Sequence, residues 1–135
     1  MAVQVIDPEG LHVPQMYAQV TVGTGTRIAY VAGQVGRDAS GALAGPGHAD
    51  QAEQAMLNVA TAVAGAGGTV ADIAKLTVFA VGLDGPATGA VAEGLSRALA
   101  RIGGPPERRA VSLIGVSSLA GEGLLVEIEA VAHLA

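Results

Sequence analysis

The sequence has no cysteine and no tryptophan, and its only aromatic residues are Tyr17, Tyr30 and Phe79. Without cysteine there is no disulfide framework, no thiolate nucleophile and no Cys-ligated metal. Three scattered aromatics, a single lysine (Lys75) and a net charge of −5 offer neither a stacking platform nor a basic stripe. Nucleic acids and anionic membranes are therefore not expected as partners. Charge is sparse, at 14% of residues, but the 50% apolar share excludes intrinsic disorder. Small residues fill the chain instead: 27 Ala and 20 Gly among 135. This length reads as a single domain, 1–135, with a sufficient but thin core. Residues 1–10 carry two acids and no apolar run, unlike a secretory signal. The uncharged stretch 54–71 contains Gln, Asn, Thr and Gly, which suits a helix and turn of a water-soluble domain rather than a membrane span. The expected location is cytoplasmic.

Periodicity divides the chain into alternating elements. Residues 16–22 are β-compatible, 23–26 (GTGT) read as a hairpin turn, and 27–33 as a second strand with Ile28, Tyr30 and Ala32 on one face. From His48 the period becomes helical, with Ala52, Ala55, Met56, Val59, Ala60 and Val63 in one stripe and Asp50 near the positive end of the dipole. Gly65 to Gly68 stop this helix. Residues 75–81 (KLTVFAV) read as a central buried strand. Pro86 suits the start of a second helix, whose expected stripe is Val91, Leu95, Ala98 and Ile102. A Gly-Gly-Pro-Pro turn at 103–106 ends it, and strands at 108–116 and 124–133 follow, with a short extra strand expected at 3–6. Right-handed strand–helix–strand crossovers place both helices on one sheet face. The other face is then a bare apolar surface too large for a monomer, so a homo-oligomer is expected.

Several chemical motifs fail on inspection. Lys75 follows Ala74, so no Gly-Lys-Ser/Thr phosphate loop exists. Gly65 to Gly68 lack dinucleotide-binding spacing. Gly115-Val-Ser117 lacks the closing glycine of a nucleophile elbow. His12, His48 and His133 have no metal-ligand spacing. The C-terminal half is more informative. Arg108 and Arg109 open a strand, and Glu127 and Glu129 stand two apart in an otherwise apolar one. A period of two puts both carboxylates on one face, and a charge in an apolar strand needs a partner or a task. Either the arginines pair with these glutamates across neighbouring strands, Glu129 with Arg109, or an arginine grips a ligand carboxylate through its planar fork while a glutamate orients water.

These residues carry a family resemblance. Tyr17-Ala18-Gln19, Ala32-Gly33-Gln34-Val35, Gln51-Ala52-Glu53-Gln54-Ala55 with Asn58, residues 72–79 (DIAKLTVF), residues 106–111 (PERRAV) and residues 126–130 (VEIEA) together resemble the RidA family, also called YjgF or reactive-intermediate deaminases. The resemblance runs from about Tyr17 to Ala132. It implies an α+β, chorismate-mutase-like fold with two helices on one face of a mixed sheet. It also implies a homotrimer around a barrel core, with ligand clefts between subunits. The family's active members hydrolyse imines and enamines of 2-amino acids to 2-keto acids and ammonia, without a cofactor. On this resemblance Arg108 anchors the substrate carboxylate and Glu127 orients the attacking water or acts as base. Tyr17, Gly33 and Ala110 line the substrate. The departures cluster around that substrate. Gln15-Met16 stand for the family's Gly-Pro, Ala32 for its Ser, Pro86 to Ala90 for its Phe-x-x-[VM]-Asn, and Arg109 for its Ser or Thr. Two readings therefore stand: an imine/enamine deaminase, or a trimeric module that holds a small carboxylate metabolite in the same cleft without turnover.

Overall fold

In α1 (His48–Gly65), apolar spacing of three and four lays Ala52, Ala55, Met56, Val59 and Val63 along one side, and all five are buried. These side chains pack onto one face of a four-stranded sheet in the computed structural model, which describes residues 3–103 and 108–135. The sheet order is β3 (Arg27–Val35), β6 (Val126–Leu134), β4 (Ile73–Val81), β5 (Ala110–Val116). Strand β6 is antiparallel to both β3 and β4, while β4 and β5 run parallel around the crossover helix α2 (Gly85–Ile102). Alternation is strict in β6: Val126, Ile128, Ala130, Ala132 and Leu134 are buried beneath the helices, and the residues between them face the other side. In β4, Leu76, Val78 and Ala80 do the same. The expected mixed α+β architecture is present.

Helix α2 begins as its sequence predicts. Asp84 caps it, accepting a hydrogen bond from the Ala87 N–H at 2.8 Å, and Pro86 occupies the first turn. Its buried stripe differs from expectation. Ala87, Val91, Gly94 and Ala98 are buried, Leu95 is half-buried, and Ile102 is 38% exposed. Gly94 explains the shift: a Cβ there would run into the Ala49 carbonyl of α1. The helices meet backbone to backbone at that glycine, which rotates the buried face away from Ile102.

The predicted hairpin is also overturned. A short strand, β1 (Gln4–Ile6), pairs antiparallel with β2 (Val20–Val22) as a separate two-stranded ribbon, and β2 does not pair with β3. The 23–26 link instead passes close over the end of β6. A Cβ on Gly25 would strike the Leu134 backbone, and one on Gly23 would overlap the His133 ring. These glycines serve a close crossing rather than a tight turn. The Pro105-Pro106 turn lies outside the described residues.

The sheet face away from the helices is uncovered in the single chain. It carries Lys75, Thr77 and Phe79 from β4, Glu127, Glu129 and Val131 from β6, Ile28 and Tyr30 from β3, and Ser112 and Ile114 from β5. Tyr30 is 77% exposed. Lys75 Nζ donates to Ser112 Oγ at 2.8 Å.

Candidate functional site

The expected site residues gather into two groups. The first is Gly33 with Glu127. Strand β3 carries one extra residue against β6, between the Val31–Ala130 and Gln34–Ile128 pairs. This bulge sets Gly33 directly against the Glu127 side chain, so that a Cβ at Gly33 would collide with the carboxylate. Glycine here permits the close approach of the Glu127 side chain, which any Cβ would have to displace, and is not needed for a left-handed turn. The helix motif that signalled the family holds this arrangement in place. Asn58 Nδ2 donates to the Val35 and Arg37 carbonyls at 2.9 and 2.8 Å, fixing the end of β3, and Gln54 Nε2 donates to Asn58 Oδ1 at 2.9 Å. Gln51 is fully buried. Its amide donates to the Gly45 and Gly123 carbonyls and accepts from the Leu125 N–H at 2.7 Å, two residues before Glu127.

The second group is Arg108, Tyr17 and Ala110. Residues 17–21 run beside the start of β5: the Ala18 N–H donates to the Arg109 carbonyl at 2.8 Å, and the Ala110 N–H donates to Thr21 Oγ1. Arg108 Nη1 donates to the Pro14 and Tyr17 carbonyls, both at 2.9 Å, and Nη2 pairs with Asp7 at 2.6 Å. Tyr17 thus meets Arg108 through its carbonyl. The Arg108 hydrogen bond, and then the Gln19 N–H, hold the Asp7 carboxyl below its ordinary value, while burial works weakly against them. Asp7 and Thr21 were not singled out from the sequence. Asp7 lies 101 positions from its partner, and no local pattern connects them.

The cross-strand pairing of arginines with Glu127 and Glu129 does not form, because β4 stands between β5 and β6. Arg109 is buried and donates to the Val70 carbonyl, while Glu129 is exposed on the open face. The same topology separates the two groups. Ala110 is level with Lys75, whereas Glu127 is level with Phe79 one strand further over. Four residues along the strand and two strand spacings across put Ala110 and Glu127 about 16 Å apart, with Arg108 beyond. One small ligand cannot touch both Arg108 and Glu127 of the same chain. A shallow hollow of about 180 Å³ on the open face is lined by Tyr30, Lys75, Thr77 and Glu129, and contains none of the expected site residues.

No group of three metal-ligating side chains occurs among the described residues. His48 is engaged by the Val81 carbonyl at 2.7 Å. No helix among the described residues is long and apolar enough to cross a membrane.

The family profile described as endoribonuclease L-PSP matches residues 10–134. The chain belongs to the Rid/YjgF family. Its fold is similar to a Rid family protein of unknown function, YyfB from Yersinia pestis, at 33% identity and a TM-score of 0.82, over 99% of this chain and 100% of that one. YjgF from E. coli matches at 27% identity and 0.68 over 96% and 98%. E. coli TdcF, solved with bound serine, matches at 25% identity and 0.70 over 100% and 99%. No curated protein matches the chain significantly. Rid membership agrees with the family resemblance read in the sequence. It also agrees with the two-helix mixed sheet.

Proposed function

We propose that this Rid protein is a cofactor-independent hydrolase of reactive 2-imino and 2-enamino acids, releasing 2-keto acids and ammonia. The observation that carries the reading is the Arg108 guanidinium, fixed by three in-chain hydrogen bonds yet with 33% of its side chain accessible. A planar, permanently protonated fork suits a carboxylate and cannot act as a base. Glu127, held over Gly33, is the group that orients water onto the imine carbon. A protonated imine is already electrophilic, so the protein's task is mostly placement. Water adds to that carbon, the nitrogen takes up the proton, and ammonia leaves as the carbonyl forms.

About 16 Å between the two halves means that the working site needs two chains, Arg108, Tyr17 and Ala110 from one and Gly33 and Glu127 from its neighbour. The uncovered sheet face supplies the surface for such an assembly, which we propose to be the homotrimer implied by the family resemblance. The bound serine named for TdcF is a ligand of the same size and charge. RNA cleavage, which the family description names, fits this chain less well. The net charge is −5, Arg97 and Arg101 are tied to Glu53, and Arg108 is tied to Asp7.

The test is ammonia release from imines generated in situ from several amino acids. Wild type should accelerate it, and Arg108→Ala should abolish the acceleration while retaining the fold. Equal inertness of both proteins across the panel overturns the reading. Carboxylate binding without ammonia release would favour the non-catalytic module, to which the loss of side-chain donors at Ala32 and Ala90 points.

A further inference from the structure

Arg108 is not a bare cation. A guanidinium has five N–H donors. Three are engaged, two by the Pro14 and Tyr17 carbonyls and one by Asp7, which leaves Nε–H and one Nη2 hydrogen open. Asp7 is only partly engaged as well. Oδ1 accepts the Gln19 N–H at 3.1 Å and Oδ2 meets Arg108, whereas an ionised carboxylate offers about four lone-pair sites. Both side chains keep some access to solvent, 33% for Arg108 and 14% for Asp7. Open donors of one charge therefore stand one hydrogen bond away from open acceptors of the other. Fastening the ribbon leaves the carboxylate with acceptor capacity to spare. Ala18, Thr21 and the two carbonyls on Arg108 already tie that segment to the start of β5.

We propose that Asp7 and Arg108 form a zwitterion-selective subsite, in which Arg108 takes the ligand's carboxylate and Asp7 the cationic nitrogen on the adjacent carbon. The inference rests on the reading of Arg108 as the carboxylate anchor. A 2-iminio or 2-amino acid carries its two charges one carbon apart, matching the side-by-side pair. A 2-keto acid keeps the carboxylate but presents a carbonyl oxygen, an acceptor facing the Asp7 acceptor. The subsite thus prefers substrate to product, and loss of the nitrogen itself weakens binding and promotes release.

L-Alanine and pyruvate share a carbon skeleton and differ only at this position, so the experiment is calorimetric titration of the intact protein with each. Wild type should bind alanine roughly fivefold more tightly than pyruvate, the scale of a solvent-screened charge contact. In Asp7→Asn, checked for its fold by circular dichroism, that ratio should fall to one or below, as pyruvate tightens and alanine weakens. Arg108→Ala should lose both ligands. Wild type binding pyruvate as tightly as alanine, an unchanged ratio in Asp7→Asn, or no alanine binding at all overturns the proposal. If Arg108→Ala loses both ligands while wild type shows no preference, only the zwitterion inference falls. If Arg108→Ala retains both, the anchor reading falls and this one with it.

Discussion

Gln51 shows what a single buried amide does in this chain. It is fully buried, and its three hydrogen bonds all go to backbone groups of loops leading to the sheet. Gln51→Leu keeps most of the volume and strands those groups without partners. A cost of about 2–3 kcal/mol is expected, read by urea unfolding, because each buried group left unpaired carries its own desolvation penalty. Asp7 makes a pH-dependent contribution. Its carboxyl is lowered from the ordinary 3.8, first by the Arg108 hydrogen bond and then by the Gln19 N–H. The stability it lends is therefore fully present above that ordinary value, and is lost as pH falls through the lower folded one. Between pH 5 and pH 3, wild type should lose more thermal stability than Asp7→Asn. Equal losses would show that the pair does not fasten the ribbon. At this scale the sequence was partly legible: Arg108, Glu127 and Gly33 were marked by motif, whereas Asp7 was not, because its role is created by a contact across the fold.

Among the elements, the helices were the most readable. The α1 stripe and the Asp84–Pro86 start of α2 follow from spacing and capping chemistry that local sequence carries. The exception is the crossing of the two helices at Gly94, where a second helix, not the residue's own neighbours, forbids a side chain. Gly94→Ala must push the helices apart. The expected loss is about 1–3 kcal/mol in denaturant unfolding, although alanine is the better helix former. A stabilised Gly94→Ala protein would refute the close-crossing account. The strands were less readable than the helices. Alternation identified them, but the bulge that brings Gly33 onto Glu127 is an extra residue visible only against the partner strand.

The whole molecule has a core built largely from alanine and valine beneath two helices, and an opposite sheet face with none. Tyr30 at 77%, Ile28 at 48% and Ile114 at 42% exposure make that face a surface to be covered. Tyr30→Lys should leave the folded chain intact, since the side chain touches little within it. It should also shift sedimentation at micromolar concentration from an oligomer toward monomer, and reduce ammonia release in parallel. A wild-type monomer under those conditions would contradict both the association and the two-chain site.

The sequence alone determined the main element types, most of the buried α1 stripe, the poverty in large side chains and the family, because periodicity, caps and short motifs are local properties. The tertiary structure decided the strand order, the pairing of β2 with β1 instead of β3, the partnership of Arg108 with Asp7, and the separation of Arg108 from Glu127. Each depends on which distant segments become neighbours. A strand's alternation states which side of it is apolar, but not which strand lies beside it. The insertion of β4 between β5 and β6 therefore left no trace in the residues it keeps apart.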